Sequence, residues 1–136
     1  MEFVLDLTIL FERLSSLCKW FLIPKMTRYR LYGVSRVYGM LNGFGGFKKA
    51  LNNPEETVVE LTPDRVDDIH HQGGTILRSA RGGFDADSIL KWCLQWKVNQ
   101  IYVVGGDGSH RGANALFEEI QKRVYFFLFF FVLFID

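Results

Sequence analysis

An apolar run that ends in a glycine-rich turn indicates both the fold class of this chain and the place of a binding site. Residues 101–104 are Ile-Tyr-Val-Val, and residues 105–109 are Gly-Gly-Asp-Gly-Ser. β-Branched and aromatic residues favour a strand, and glycines before a helix let the backbone approach an anion at the helix N-terminus. The carboxylate of Asp107 would repel phosphate unless a divalent cation such as Mg²⁺ lay between them. The turn therefore predicts a metal-assisted nucleotide phosphate site.

The segments before and after this turn alternate between strand-like and helix-like patterns. Strands are predicted at residues 33–40, 57–61 and 101–104, and helices after Thr62, after Asp85 or Asp87, and from about His110 to Lys122. Such alternation predicts an α/β fold, here a partial Rossmann-like parallel sheet with flanking helices. Ligands of these folds bind beyond the carboxyl ends of the strands, and Asp107 follows such an end.

Composition limits the classes of function. With 136 residues the chain has room for one domain, and its net charge of +1 gives no general indication of nucleic acid or an anionic membrane as a partner. Two cysteines, Cys18 and Cys93, are expected to remain reduced thiols rather than to form a disulfide.

The two ends differ in composition from the middle. Residues 1–28 are predicted to be an apolar N-terminal segment containing a short helix, and the acidic residues Glu2, Asp6 and Glu12 argue against a signal or transit peptide. Residues 124–136 are an aromatic tail, uncharged from Val124 to Ile135 and shorter than the roughly 20 residues that span a bilayer. We expect this tail to lie outside the native fold and to promote aggregation, and membrane association is the less favoured alternative. Residues 29–123 are the predicted domain.

A second loop narrows the possible families. Residues 70–77 are His-His-Gln-Gly-Gly-Thr-Ile-Leu, and residues 79–83 are Ser-Ala-Arg-Gly-Gly. This second loop together with the Gly-Gly-Asp-Gly turn resembles the 6-phosphofructokinase family. The resemblance is strongest to the plant-type ATP-dependent branch of that family. The match extends from about Tyr29 to Arg123. The resemblance implies a cytoplasmic glycolytic enzyme that transfers the γ-phosphoryl group of Mg-ATP to fructose 6-phosphate.

The resemblance also implies roles for individual residues. Asp107 corresponds to the Mg²⁺ ligand, and Gly106, Gly108 and Ser109 correspond to contacts with the nucleotide phosphates. Arg81 with Gly82 corresponds to the second phosphate contact of the family. Pyrophosphate-dependent relatives carry an aspartate at the place of Gly108, so the glycine resembles the ATP users. No catalytic residue is assigned.

Departures from the family pattern set limits on the expected activity. Arg78 stands where the family usually has glycine, and it would either pair with phosphate or obstruct the loop. The family's first glycine-rich nucleotide loop, expected before Tyr29, has no match. The later family segment that supplies the catalytic base has no match, and the sugar-phosphate contacts of the family have no match. We therefore expect a truncated fragment that is inactive alone.

Two other functions fit the motifs less fully. One is a different Gly-Gly-Asp-Gly kinase that acts on NAD or a lipid. The other is a non-catalytic interaction protein that associates with full-length subunits or a membrane through its apolar ends. Without the second loop, Asp107 fits the role of a turn residue as well as that of a metal ligand. Arg81 considered alone fits the role of a solvated surface residue. Residues 42–47, another glycine-rich stretch, are predicted to be a turn between elements, and Trp92 and Trp96 are predicted to be packing residues.

Overall fold

The computed structural model describes residues 5–11, 34–67, 69–71, 75–123 and 129–134. The strands are β1 (Leu5–Phe11), β2 (Val34–Met40), β3 (Val58–Glu60), β4 (Val98–Gly105) and β5 (Phe129–Phe134). The α-helices are α1 (Phe44–Ala50), α2 (Pro54–Thr57), α3 (Pro63–Asp67), α4 (Ala86–Gln95) and α5 (Asp107–Lys122), with a 3-10 turn at Ile69–His71. None of the described helices has the length and apolarity needed to cross a membrane.

The described strands form one sheet in the order β3-β2-β1-β4-β5. β1 pairs in parallel with β2 on one side and β4 on the other, and β5 pairs in parallel with β4. Only β3 runs antiparallel, against the end of β2. The α/β class is confirmed. Because β2 and β4 point the same way, the segments that follow them, α1 and the glycine-rich turn, emerge at the same edge of the sheet.

The N-terminal segment differs from its prediction. Residues Leu5–Phe11 form β1, between β2 and β4, so the short helix expected in this segment is wrong for these residues. A central parallel strand is covered on both faces, and a nearly continuous apolar run suits it as well as it suits a short helix. The rest of the segment, residues 12–28, lies outside the described residues.

The tail contributes an edge strand. Residues Phe129–Phe134 pair with β4 from Gln100↔Phe129 to Gly105↔Phe134. The sequence pattern predicts a segment outside the fold, because it has neither a helical nor an alternating period. Pairing on one edge requires only backbone N–H and C=O groups, which no side-chain pattern reveals. The boundary near Arg123 between domain and tail stays a prediction.

The core lies between the sheet and helices α1, α4 and α5. Its fully buried side chains include Met40, Phe47, Ile89, Trp92, Ile101 and Leu116. Trp92 stacks on Trp96 with ring centroids 5.1 Å apart and meets the edge of Phe47 at 5.4 Å, which confirms both tryptophans as packing residues. Two large apolar side chains of α4 and α5 lie outside this core and are exposed, Leu94 by 52% and Phe117 by 43%.

Helix starts near the site also differ from the predicted ones. The glycine-rich residues 42–47 are a turn only as far as Gly43, whose φ of 59° precedes the start of α1 at Phe44. α5 begins at Asp107 rather than near His110, so the predicted phosphate-binding turn is largely the first turn of the helix. Asp85 is confirmed as the N-cap of α4, where its Oδ1 accepts a hydrogen bond from the Asp87 N–H at 3.2 Å.

Candidate functional site

The first component of the site is the transition from β4 to α5. Gly106 is the N-cap, and its carbonyl accepts the first helical hydrogen bond, from His110 N at 3.1 Å. The N–H groups of Asp107 and Gly108 precede this bond in the helix and have no intrahelical acceptor, because the first turn of any helix lacks one. Gly106, Asp107 and Gly108 are all exposed. The helix therefore presents the N–H groups of Asp107 and Gly108 and the positive end of its dipole at an accessible edge of the sheet.

Glycine at positions 106 and 108 is not explained by packing. A Cβ built on either residue meets no atom within 4 Å. The φ of Gly106 is −84°, which residues with side chains also adopt. The missing side chains leave open space directly beside the backbone. That space is what a ligand needs to reach the N–H groups at the start of α5.

Ser109 lies differently from the residues before it. It is only 3% exposed, although it belongs to the same helical turn. Its predicted hydroxyl contact with phosphate stays a prediction, and the exposed part of the turn is limited to the three residues before it.

The second component is the loop that leads into α4. Arg81 is exposed, and the two following glycines adopt positive φ values, 74° for Gly82 and 76° for Gly83. Side chains are disfavoured in this region, so the Gly-Gly pair is required by the shape of the loop. The loop turns the chain sharply before Asp85 caps α4.

The two components line a single cavity of about 660 Å³. One wall is a stripe of α5, formed by Gly108, Arg111, Gly112 and Ala115. The facing wall consists of Phe44, Arg81, Gly82 and Phe84. Three predicted site residues thus meet at one cavity: Arg81, Gly82 and Gly108. Gly106 and Asp107 directly precede Gly108 in the chain but do not line the cavity, and neither does Ser109.

Five lining residues were not predicted from the sequence. Arg111, Gly112 and Ala115 follow Gly108 at the i+3, i+4 and i+7 spacing of one helix face, which becomes visible once α5 begins at Asp107. Phe44 and Phe84 come from different segments, and their rings meet edge to face with centroids 5.4 Å apart. No local sequence signal joins them, since their contact depends on the tertiary fold.

Two arginines, Arg81 and Arg111, are among the residues that line the cavity, and their positive charge favours an anionic ligand. The described residues contain no group of three or more His, Cys, Asp or Glu side chains that could enclose a metal ion. Mg²⁺ is commonly bound through one or two carboxylates together with substrate phosphates, so the exposed carboxylate of Asp107 fits that mode of binding.

Arg78 does not belong to the cavity wall. It is exposed, its φ is 60°, and it follows the buried Leu77. Neither alternative considered from the sequence, pairing with a ligand in the cavity or obstructing it, has support in the lining. The backbone conformation instead accounts for the glycine that the family usually carries here, because glycine adopts positive φ without strain.

Comparison with known proteins identifies the family. The phosphofructokinase family profile matches residues 22–133. The chain belongs to the phosphofructokinase family. It is 42% identical over 93 residues to ATP-dependent 6-phosphofructokinase 1 of Arabidopsis thaliana, covering 68% of this chain and 18% of the relative. It is 40% identical over 97 residues to the ATP-dependent 6-phosphofructokinase of Borreliella burgdorferi, covering 71% of this chain and 21% of the relative.

Solved structures agree on the fold. Phosphofructokinase from Saccharomyces cerevisiae superposes with a TM-score of 0.69 and 16% identity over 95% of this chain and 16% of that chain. The pyrophosphate-dependent phosphofructokinase of Marinobacter aquaeolei gives 0.68 and 14% identity over 89% of this chain and 30% of that chain. The chain therefore spans about a fifth of the curated relatives and has the fold of a phosphofructokinase segment.

Proposed function

We propose that this chain forms a nucleotide half-site of an ATP-dependent 6-phosphofructokinase. The whole activity would transfer the γ-phosphoryl group of Mg-ATP to fructose 6-phosphate. The observation that carries the proposal is the shared cavity: Arg81 and Gly82 on one wall, Gly108 on the other. The two loops are distant in sequence, and each resembles a phosphate contact of the family. A single ligand that contacts both loops explains why both line one cavity.

Each loop would bind the phosphates in its own way. The exposed N–H groups at the start of α5 donate hydrogen bonds to phosphate oxygens, and the helix dipole favours their negative charge. The guanidinium of Arg81 can donate two parallel hydrogen bonds to adjacent oxygens. Asp107 would hold Mg²⁺ together with the phosphates. When bound, the ion neutralises charge on the phosphoryl group that is transferred.

The rest of the cavity suits the nucleoside. Its volume of about 660 Å³ is within the roughly 300–1,000 Å³ of small-molecule sites. Phe44, Phe84 and Ala115 give it apolar surface in addition to its two arginines. A ligand that has both a polyanionic part and a flat aromatic part, such as ATP, matches a cavity with both kinds of lining.

ATP rather than pyrophosphate is the proposed donor. The space beside Gly108 is open, and an aspartate there would place a second carboxylate next to Asp107 and repel a nucleotide's additional phosphate. The curated relatives cited above carry names that specify ATP dependence. The solved structures do not distinguish the donors, since a pyrophosphate-dependent enzyme superposes equally well.

The remaining parts of the activity would lie elsewhere. Because the chain spans only 18% of the Arabidopsis relative, we propose that it supplies nucleotide binding and that the sugar phosphate is bound by other segments. The chain alone is expected to show no turnover in a coupled assay with ATP and fructose 6-phosphate. Measurable turnover would contradict this expectation. Association with full-length subunits and a cytoplasmic location remain predictions.

Isothermal titration of the chain with Mg-ATP tests the half-site. Asp107→Ala is expected to weaken binding about tenfold or more, equivalent to about 1.4 kcal/mol. Asp64→Ala is the matched control, because Asp64 is also an exposed carboxylate in the first turn of a helix but belongs to α3, which contributes no residue to the cavity lining. Equal losses in the two variants, or no binding by the unsubstituted chain, would overturn the proposal.

A further inference from the structure

We propose that the first turn of α1, residues Phe44 and Gly45, is a spacer that positions the two phosphate-binding loops, with Gly83 and Gly112 as its contact points. The role of these loops rests on the proposed function. This role would explain two of the glycine-rich residues 42–47, which the sequence predicts only as a turn.

The first contact joins the spacer to the arginine loop. A Cβ built on Gly83 would lie 2.6 Å from Gly45 Cα and 3.1 Å from Gly45 N. Both are backbone atoms, so no side-chain rotation could relieve the overlap. Gly83 also has a φ of 76°. The loop that carries Arg81 therefore rests backbone to backbone on the start of α1, at a separation that only glycine allows.

The second contact joins the spacer to α5. A Cβ built on Gly112 would lie 2.5 Å from Cε2 and 3.0 Å from Cζ of Phe44. The Phe44 ring is buried, and it also packs edge to face with the ring of Phe84. Since it has little freedom to turn away, the ring fixes how closely α1 and α5 approach.

Together the contacts set the width of the cavity. The loop with Arg81 touches α1 at Gly45, and α5 touches α1 at the adjacent Phe44. The distance between Arg81 and the start of α5 is thus determined by two neighbouring residues of a third element. Two hydrogen-bonding groups act on one phosphate chain only if their separation matches it, so a displaced wall loses binding without losing any ligand-contacting group.

Substitution at the contact points tests the spacer. Gly83→Ala and Gly112→Ala are expected to weaken Mg-ATP binding about tenfold in isothermal titration, a loss of about 1.4 kcal/mol. Gly45→Ala is the matched control, since its Cβ would make only ordinary contacts, at 3.8 and 3.9 Å, with the same arginine loop. It should bind within about twofold of the unsubstituted chain. Urea unfolding of each variant identifies any loss that comes from incomplete folding.

A double variant separates positioning from general destabilisation. Phe44→Leu removes the ring atoms that Gly112→Ala would overlap. Adding Phe44→Leu to Gly112→Ala should restore affinity to that of Phe44→Leu alone. Additive losses in the double variant would overturn the proposed contact, because independent effects add.

The distance between the arginine loop and α5 can be measured without nucleotide, so it tests the spacer even if the chain does not bind Mg-ATP. Spin labels at exposed positions, introduced by Ala80→Cys and Asn114→Cys with Cys18→Ser, report the separation of the arginine loop and α5. The distance distribution should be narrow in the unsubstituted background and in Gly45→Ala, and longer or broader in Gly83→Ala and Gly112→Ala. Unchanged distances would overturn the spacer, whereas loss of Mg-ATP binding in the unsubstituted chain alone would overturn only the proposed function.

Discussion

Asp87 Oδ1 and Arg123 Nη2 lie 2.5 Å apart, and this ion pair joins the first turn of α4 to the residue that ends α5. Each partner also suits its own helix, the carboxylate at the positive end of α4 and the guanidinium at the negative end of α5. Arg123 further contacts Glu119 at 3.5 Å, and Lys122 contacts Glu119 at 2.9 Å. Lys122 and, to a smaller extent, Arg123 lower the pKa of the Glu119 carboxyl. The charges thus tie together two helices that flank the candidate site.

Arg123→Ala is expected to reduce the free energy of unfolding by less than about 1 kcal/mol, because the ion pairs it breaks are solvent-exposed. Urea unfolding at low and high sodium chloride provides the measurement, and the effect should shrink as salt screens the charges. Lys91→Ala, which removes an exposed positive charge from α4, is the control. A loss that did not change with salt would show that Arg123 acts through packing instead.

Cys93 should make stability fall at alkaline pH. Burial raises the pKa of its thiol from an ordinary value of 9.0 to about 12. Between these values the folded state keeps a proton that the unfolded state releases, so stability falls as pH rises above about 9, with a slope approaching 1.4 kcal/mol per pH unit. Urea unfolding between neutral and alkaline pH measures this slope.

Cys93→Ala serves as the control for this slope and should flatten it. Burial also raises the pKa of Tyr102, which acts in the same direction, and comparing the two proteins removes that contribution. In a Cys18→Ser background, Cys93 should react with a thiol reagent only as fast as the chain opens. Rapid modification of the folded protein would contradict the buried, protonated thiol.

The sequence predicts the parts of the site whose signals are local. The glycine-rich segment after β4, the arginine loop and the Asp85 cap each depend on neighbouring residues, and the structure has all three, although most of the glycine-rich segment is the first turn of α5. The facing aromatic wall could not be predicted, because Phe44 and Phe84 meet only after α1 and α4 pack together. β1 was missed for a related reason: a buried strand and a short apolar helix have similar patterns, and only pairing with β2 and β4 distinguishes them.

Arg78→Gly is expected to stabilise the chain. With a φ of 60°, Arg78 occupies the left-handed region, which costs an L-residue about 1–2 kcal/mol. Glycine removes this strain but makes the unfolded chain more flexible, so the net gain should be about 0.5–1 kcal/mol. Urea unfolding measures the difference. The adjacent Ser79→Gly is the control and should be neutral or destabilising, because exposed Ser79 does not have a positive φ. Destabilisation by Arg78→Gly would indicate a contact that outweighs the backbone strain.

Mg²⁺ should bind firmly only together with a nucleotide. The described residues offer Asp107 but no cluster of three ligating side chains, and one carboxylate does not replace enough of the ion's water shell. With Mn²⁺ as a probe, its free-ion paramagnetic resonance signal should hardly change on adding the chain and should fall when ATP is also present, by more than ATP alone causes. Asp107→Ala should abolish that additional decrease, whereas Asp64→Ala should leave it intact. A strong decrease with the chain alone would mean that the metal site is complete before the nucleotide arrives, and Asp107 would then need further protein ligands.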